Sequence, residues 1–193
     1  ECALLQSDSA QDICASLRAF ERGLPTQTYR SERQVDLQQF STPGTLAWLA
    51  GLAAQARPED IVLEPSARTG MLAVHARRIG ARLLLNEFDP GRADLLARIF
   101  DQPVTRHDGE NIDNLLSAMA RPTLVLINPP FSRSAGRGVD RHAGARHLRA
   151  ALARLAPAGR CVAIMPPSFA ADGTAALGYT MVSELTPPRV EIT

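Results

Sequence analysis

The amino-acid sequence predicts a doubly wound α/β fold, a mostly parallel sheet with helices on both faces. Short apolar runs recur at residues 61–63, 83–85, 124–127 and 161–165, and helical patterns lie between them at 71–79, 92–99 and 142–155. The runs are apolar at successive positions rather than at alternate ones, as strands covered on both faces require. In such a fold, ligands bind beyond the carboxyl ends of the strands. The residues following each run are therefore where chemistry is to be sought.

Taken in order, residues 1–39 read as a polar, partly helical extension. Asp8 is placed to cap a helix whose apolar positions Ile13, Leu17 and Phe20 recur at helical spacing. A catalytic core is expected over 40–193. It opens, after Pro43, with a helix over 45–56 rich in Ala and Leu, in which Trp48 reads as core, and Arg57-Pro58-Glu59-Asp60 ends it. The first apolar run leads into Glu64-Pro65-Ser66-Ala67-Arg68-Thr69-Gly70, a turn of mostly short residues ahead of a helix that allows a cofactor to approach the backbone. A tight strand-to-helix turn needs small residues in any case.

After the second run come Glu87 and Asp89-Pro90. A carboxylate about twenty residues beyond such a turn is placed to accept from both ribose hydroxyls of a nucleoside cofactor. Asp89 fits better as the cap of the helix beginning near Pro90. A third strand is expected at 103–106, ending in His107-Asp108-Gly109, where Asp108 either receives the amino group of an adenine ring or forms an Asx-type turn. The fourth run ends in Asn128-Pro129-Pro130-Phe131. Two prolines stop the strand and fix its backbone. The Asn128 side-chain oxygen and the Pro129 carbonyl can then both accept from an exocyclic amine, stabilising charge that develops on its nitrogen. Phe131 offers a face to a base turned out of its stack.

Composition narrows the classes. A length of 193 residues with 45% hydrophobic content suits one globular domain. No run is long enough to span a membrane and no basic-then-apolar leader opens the chain, so a cytoplasmic protein is expected. Cys2, Cys14 and Cys161 stand at neither disulfide nor zinc spacing, and no metal is expected. Cys161 reads as a small buried hydrophobe, His75 as a packed or solvated helix residue, and His142 and His147 as auxiliary phosphate contacts. All 21 basic residues are arginine, and residues 121–160 hold eight of them against Asp140 alone, a local charge of +7 that leaves −6 for the rest. Such a segment reads either as a footprint for a polyanion or as a solvated helix face. Arg133, Arg137, Arg141 and Arg146 follow the Asn-Pro-Pro-Phe turn and are the candidate phosphate contacts.

These residues carry a resemblance. Asn128-Pro129-Pro130-Phe131 resembles the catalytic motif of amino-methyltransferases, and Gln39-Phe40-Ser41-Thr42-Pro43 resembles the motif preceding the core in adenine-N6 DNA methyltransferases. The runs 37–48 and 126–134 look like the methylase domain of bacterial and phage proteins that also carry a strawberry-notch-like helicase. The resemblance covers roughly residues 37–170 and implies a Rossmann-like S-adenosylmethionine-dependent methyltransferase fold. It further implies S-adenosylmethionine as cofactor, with Phe40 and Thr42 near it, Glu64 and Gly70 beside its methionine part, Glu87 on the ribose and Asp108 near the adenine. The acceptor base would be held by Asn128, Pro129, Pro130 and Phe131, in DNA rather than RNA, with a helicase domain in the same natural chain. Two departures stand out: Arg68 occupies the place of a usual central glycine, and little sequence remains after 165 for the usual closing hairpin, so the natural chain is expected to continue. The alternatives are methylation of RNA or of a protein glutamine, and a docking module that has lost its cofactor, for which Arg68 is the sign.

Overall fold

The structure, a computed structural model, describes residues 9–24, 41–131, 133–134, 138–140, 142–166, 169 and 180. Its elements are α1 (Ala10–Gly23), α2 (Gly44–Ala54), β1 (Ile61–Glu64), α3 (Ala73–Arg78), β2 (Arg82–Leu85), α4 (Pro90–Phe100), a 3₁₀ turn (Gly109–Asn111), α5 (Ile112–Leu115), β3 (Leu124–Ile127), β4 (Arg133–Ser134), β5 (Gly138–Val139), α6 (Ala143–Arg154) and β6 (Arg160–Ala163). Four strands form one sheet in the order β2-β1-β3-β6, every pair parallel, while β4 and β5 make a small antiparallel ribbon.

The unbroken apolar runs are explained by the division of the core. Val62, Leu83, Leu85, Leu124 and Leu126 point to one face, where Ala47, Ala50 and Ala54 of α2, Ala73 and Ala76 of α3, and Leu96 and Phe100 of α4 cover them. Leu63, Val125 and Ile127 point to the other, against Ile112 of α5 and Leu148, Ala151 and Leu152 of α6. Successive residues thus feed opposite cores, as the pleat dictates. Each large side chain so buried contributes about 2 kcal/mol.

The edge away from the loops of interest is fixed by one carboxylate. Asp60 accepts from the Thr123 hydroxyl (2.7 Å), the Arg57 N–H (2.8 Å) and the Arg160 guanidinium (2.6 Å), joining the starts of β1, β3 and β6. Burial alone would raise its pKa, but these bonds outweigh burial and hold it below the usual carboxylate range.

The first helix is capped by Ser9 rather than Asp8, and Phe20 is 52% exposed instead of packed. Ile13 and Leu17 do pack, on Trp48 and Val74, so the extension and the core share a cluster. Glu21 explains the docking further. The residue before α2, Pro43, has no side chain to cap with, and Glu21 supplies the cap by accepting from the Thr45 N–H (2.7 Å) and hydroxyl (3.1 Å). The third strand expected at 103–106 shrinks to one parallel bridge, Asn86 with Thr105. Pro103 has no N–H to give a ladder. Past Thr105, the Asn86 side chain takes over, accepting from the Thr105 hydroxyl and the His107 N–H at 2.8 Å each.

Candidate functional site

The turn after β1 is held from β2. The Ala67 N–H donates to the Asn86 carbonyl (2.8 Å), and the Asn86 amide donates to the carbonyls of Pro65 and His107 at 2.9 Å each. Asn86 is fully buried and all its side-chain polar atoms are bonded, so one residue ties the turn after β1 to the turn after Thr105. Within the first turn, Arg68 and Gly70 both adopt the left-handed conformation, at φ of 54° and 75°. Gly70 is required twice over, because a Cβ there would also sit 2.4 Å from the Phe100 ring.

Charged side chains gather at this turn. Glu87 is buried and spans the two loops, one oxygen accepting from the Arg68 N–H (2.7 Å) and the other from the Asp89 N–H (2.9 Å). Each oxygen keeps a second lone pair. Glu64 is only 2% exposed, and its Oε2 has no hydrogen-bond partner. Burial raises its pKa well above the usual carboxyl value, against the pull of the Ala73 N–H and the Arg68 charge. Burial also brings the Arg68 guanidinium down to about 10, opposed by the nearby Glu87 carboxylate. The Arg68 side chain is half-buried. Asp89 caps α4 as expected, accepting from the Arg92 N–H at 3.0 Å, and Phe88 beside it leaves its ring 47% exposed.

Asp108 forms the Asx-type turn, one oxygen accepting from the Glu110 N–H (3.0 Å) and the other from the Asn111 amide (3.2 Å). Gly109 brings this turn against the first: a Cβ on it would lie 2.9 Å from the Pro65 carbonyl and 3.1 Å from the Ser66 hydroxyl. His147 of α6 closes the contact from above, its ring 3.3 Å from that same Cβ position. The reading of His147 as a phosphate contact is corrected here. It is 6% exposed, burial pushes its pKa down to about 4, and its Nδ1 has no hydrogen-bond partner. A neutral, enclosed imidazole attracts no phosphate.

The other end of the site lies after β3. The Asn128 amide nitrogen donates to the Thr42 hydroxyl at 3.0 Å, joining two motifs 86 residues apart. This bond engages the amide nitrogen, and the acceptor Oδ1 is left for another group. Pro129 is buried, and Pro130 and Phe131 are half-buried. Gly144 lets the start of α6 lie close over the prolines, since a Cβ there would be 3.3 Å from the Pro130 carbonyl and 3.5 Å from the Pro129 ring. The turn is thus clamped between α2's approach and α6.

The basic segment divides on inspection. Arg146 pairs with Glu110 and Asp140, Arg154 donates to the Ser117 (2.7 Å) and Ala120 (2.9 Å) carbonyls, and Arg160 pairs with Asp60. Arg121 and Arg149 are exposed. Arg133 is placed in β4 by its backbone, while Arg137, Arg141 and Phe40 lie outside the described residues. Among the described residues no cluster of three or more His, Cys, Asp or Glu could hold a metal ion, and no helix is long and apolar enough to cross a membrane. Sequence reasoning missed Asn86 and Glu21, whose partners are distant in the chain, and Phe88, for which adjacency to Glu87 was the available signal.

No protein-family model and no curated protein sequence matches the chain. Solved structures do resemble it. A protein of Pyrococcus horikoshii described as an RNA methyltransferase superposes with a TM-score of 0.58 at 21% identity, over 86% of this chain and 78% of its own. TrmN from Thermus thermophilus gives 0.55 at 24% identity, over 69% of this chain and 44% of its own. The methyltransferase subunit of a type I restriction-modification system from Streptococcus thermophilus gives 0.52 at 14% identity, over 81% and 43%. This chain spans less than half the length of the latter two. At these identities the likeness is one of fold, and the fold is the Rossmann-like one of S-adenosylmethionine-dependent methyltransferases.

Proposed function

We propose that the protein transfers a methyl group from S-adenosylmethionine to the exocyclic N6 amine of adenine in DNA. The observation that carries this reading is the bond from the Asn128 amide to the Thr42 hydroxyl, which fixes this half-buried side chain in a proline-locked turn at the carboxyl end of a central strand. An exocyclic amine conjugated to a purine is a weak nucleophile because its lone pair is delocalised. With its two N–H bonds accepted by Asn128 Oδ1 and the Pro129 carbonyl, the nitrogen recovers that lone pair and its developing positive charge is stabilised. The N–C bond forms as the sulfonium S–C bond breaks, and the surplus amine proton passes to water.

The residues fit a cofactor of this kind. Glu64 offers a buried oxygen without a partner, suited to an ammonium group. Glu87 keeps lone pairs toward hydroxyls, and the exposed Phe88 ring is a surface on which a nucleoside base can lie. The cofactor's contribution is an activated methyl group. Rate from the protein would come from positioning and from the two acceptors on the amine, without a strong base. The exposed Arg149 is available for phosphates, whereas Arg146 serves chiefly to hold the Asp140 and Glu110 carboxylates together.

The test is transfer of isotopically labelled methyl to matched DNA and RNA oligonucleotides and to a glutamine-bearing protein acceptor. The expected result is N6-methyladenine in DNA, with Asn128→Ala reducing kcat by about 100-fold or more while S-adenosylmethionine still binds. Methylation confined to RNA or protein would overturn the substrate, and an undiminished Asn128→Ala rate would overturn the assignment of the turn.

A further inference from the structure

We infer that Glu21, on the N-terminal helix, is a positioning residue for the acceptor site: by fixing the start of α2 it fixes Thr42, and through Thr42 the Asn128 side chain. The inference rests on the reaction proposed above and gives the extension ahead of the core a part in it.

The contacts run from α1 to the end of β3 without a gap. Glu21 lies in the last turn of α1 and holds Thr45 with both oxygens, one accepting from its N–H (2.7 Å) and the other from its hydroxyl (3.1 Å). Thr45 is the second residue of α2. Pro43 belongs to the same first turn, since its carbonyl accepts from the Ala47 N–H at 2.9 Å, and its ring locks φ at −54°. Thr42 is joined directly to that proline, is buried, and accepts from the Asn128 amide at 3.0 Å. A shift of α2 along its axis is therefore delivered to Thr42 with little slack.

Resistance to such a shift is unevenly spread. The face that α2 turns to the sheet is made of Ala47, Ala50 and Ala54, whose small side chains form low ridges and grip an axial register weakly. At the far end the helix is held by Arg160, whose Nε donates to the Ala54 carbonyl (3.2 Å) while the same guanidinium is fastened to Asp60. At the near end the first turn has no acid of its own, and Glu21 brings one to the positive end of the helix. Ile13 and Leu17 hold α1 against Trp48 of α2, and a Cβ on Gly44 would lie 3.3 Å from Glu21 Oε1 and 3.7 Å from the Leu17 side chain, so the carboxylate is packed as well as bonded. A cap alone would stabilise α2. Glu21 also sets where α2 begins relative to the strand that carries Asn128, and a misplacement of about 1 Å at a reacting group can cost about 100-fold in rate.

The test is a double-mutant cycle on the full chain, read in kcat for methyl transfer and in thermal midpoint, with Glu21→Ala, Glu21→Gln, Thr42→Val and the Glu21→Ala, Thr42→Val pair, each assayed well below its midpoint. Glu21→Ala is expected to lower kcat about fivefold and to change the KM for S-adenosylmethionine by less than about twofold. Glu21→Gln, whose amide oxygen still accepts from the Thr45 N–H, should recover most of the rate. In the Thr42→Val background, Glu21→Ala should still lower the thermal midpoint, by about 3 °C, yet leave kcat where Thr42→Val put it. The Asn128 side-chain amide signals in a proton–nitrogen NMR spectrum, assigned by their loss in Asn128→Ala, should move in Glu21→Ala in the direction that Thr42→Val moves them. An unchanged kcat in Glu21→Ala, rate losses that multiply in the double variant, or Asn128 signals that Glu21→Ala leaves unmoved would each reduce Glu21 to a helix cap and overturn the inference while leaving the methyl-transfer reading standing. A wild type that transfers no methyl group to DNA, RNA or protein would overturn the reaction, and the NMR comparison would then decide by itself whether Glu21 positions Asn128.

Discussion

At the end of β3 the polar groups are neutral: an amide bonded to a hydroxyl, ahead of two prolines and under a helix that approaches on a glycine. At the end of β1, two buried carboxylates, a half-buried arginine and the imidazole of α6 gather at one pair of loops, and Glu64 and His147 each have a buried polar atom with no partner. The two ends share a sheet, yet they invest stability differently. In the proposed reaction the first would orient a weak nucleophile rather than attract it. The second withholds satisfaction from Glu64 and His147, and that free energy is available to whatever ligand completes them.

This difference can be broken by experiment. The largest effect is expected for Asn86→Ala, which strips partners from the Pro65 and His107 carbonyls, the His107 N–H and the Thr105 hydroxyl. Chemical denaturation should show a loss of about 4 kcal/mol. A loss under 1 kcal/mol would mean the end of β1 is not framed by this residue.

His147 gives the next effect. With a folded pKa of about 4 against an ordinary 6.5, the unfolded chain binds the proton first, so this group makes stability rise with pH across that window and level off above it. The contribution is on the order of 3 kcal/mol. His75, also lowered by burial, adds a slope of the same sign, so the measurement is the difference between wild type and His147→Gln. Equal slopes for the two would remove His147 from the charged end.

Thr42→Val gives the smallest change and the sharpest contrast. Losing the bond that orients Asn128 should lower kcat about tenfold, while stability falls by less than about 1 kcal/mol. A stability loss of several kcal/mol with an unchanged rate would show that the acceptor end is a structural strut, and the contrast between the ends would fail.

How much of this was legible in the sequence follows from the range of each interaction. The runs at 61–63 and 124–127 became β1 and β3 because central parallel strands must be apolar on both sides, a property written in consecutive residues. Asp89 as a helix cap and Trp48 as core were equally local. The segment at 103–106 misled, since its ladder is replaced by a side chain from residue 86. Within the site, the Asn-Pro-Pro-Phe turn and its place after a strand were visible, but its bond to Thr42 spans 86 residues. The burial of His147 depends on α6 lying across the Gly109 turn, which no window around residue 147 contains. Likewise, the charge of the arginine-rich segment could be counted, but not the carboxylates and carbonyls that engage Arg146, Arg154 and Arg160.

The Asp60 junction has a consequence of another kind. By fastening the starts of three strands to one carboxylate at the edge opposite the loops, it makes the sheet a cantilever. The free ends carry the loops, and their lengths and sequences can be exchanged without disturbing the root. An engineer grafting a new recognition loop after β1 or β3 should therefore leave Asp60, Thr123 and Arg160 untouched, and amide exchange in such grafts should remain slowest at Ile61 and Thr123 whatever the loops have become.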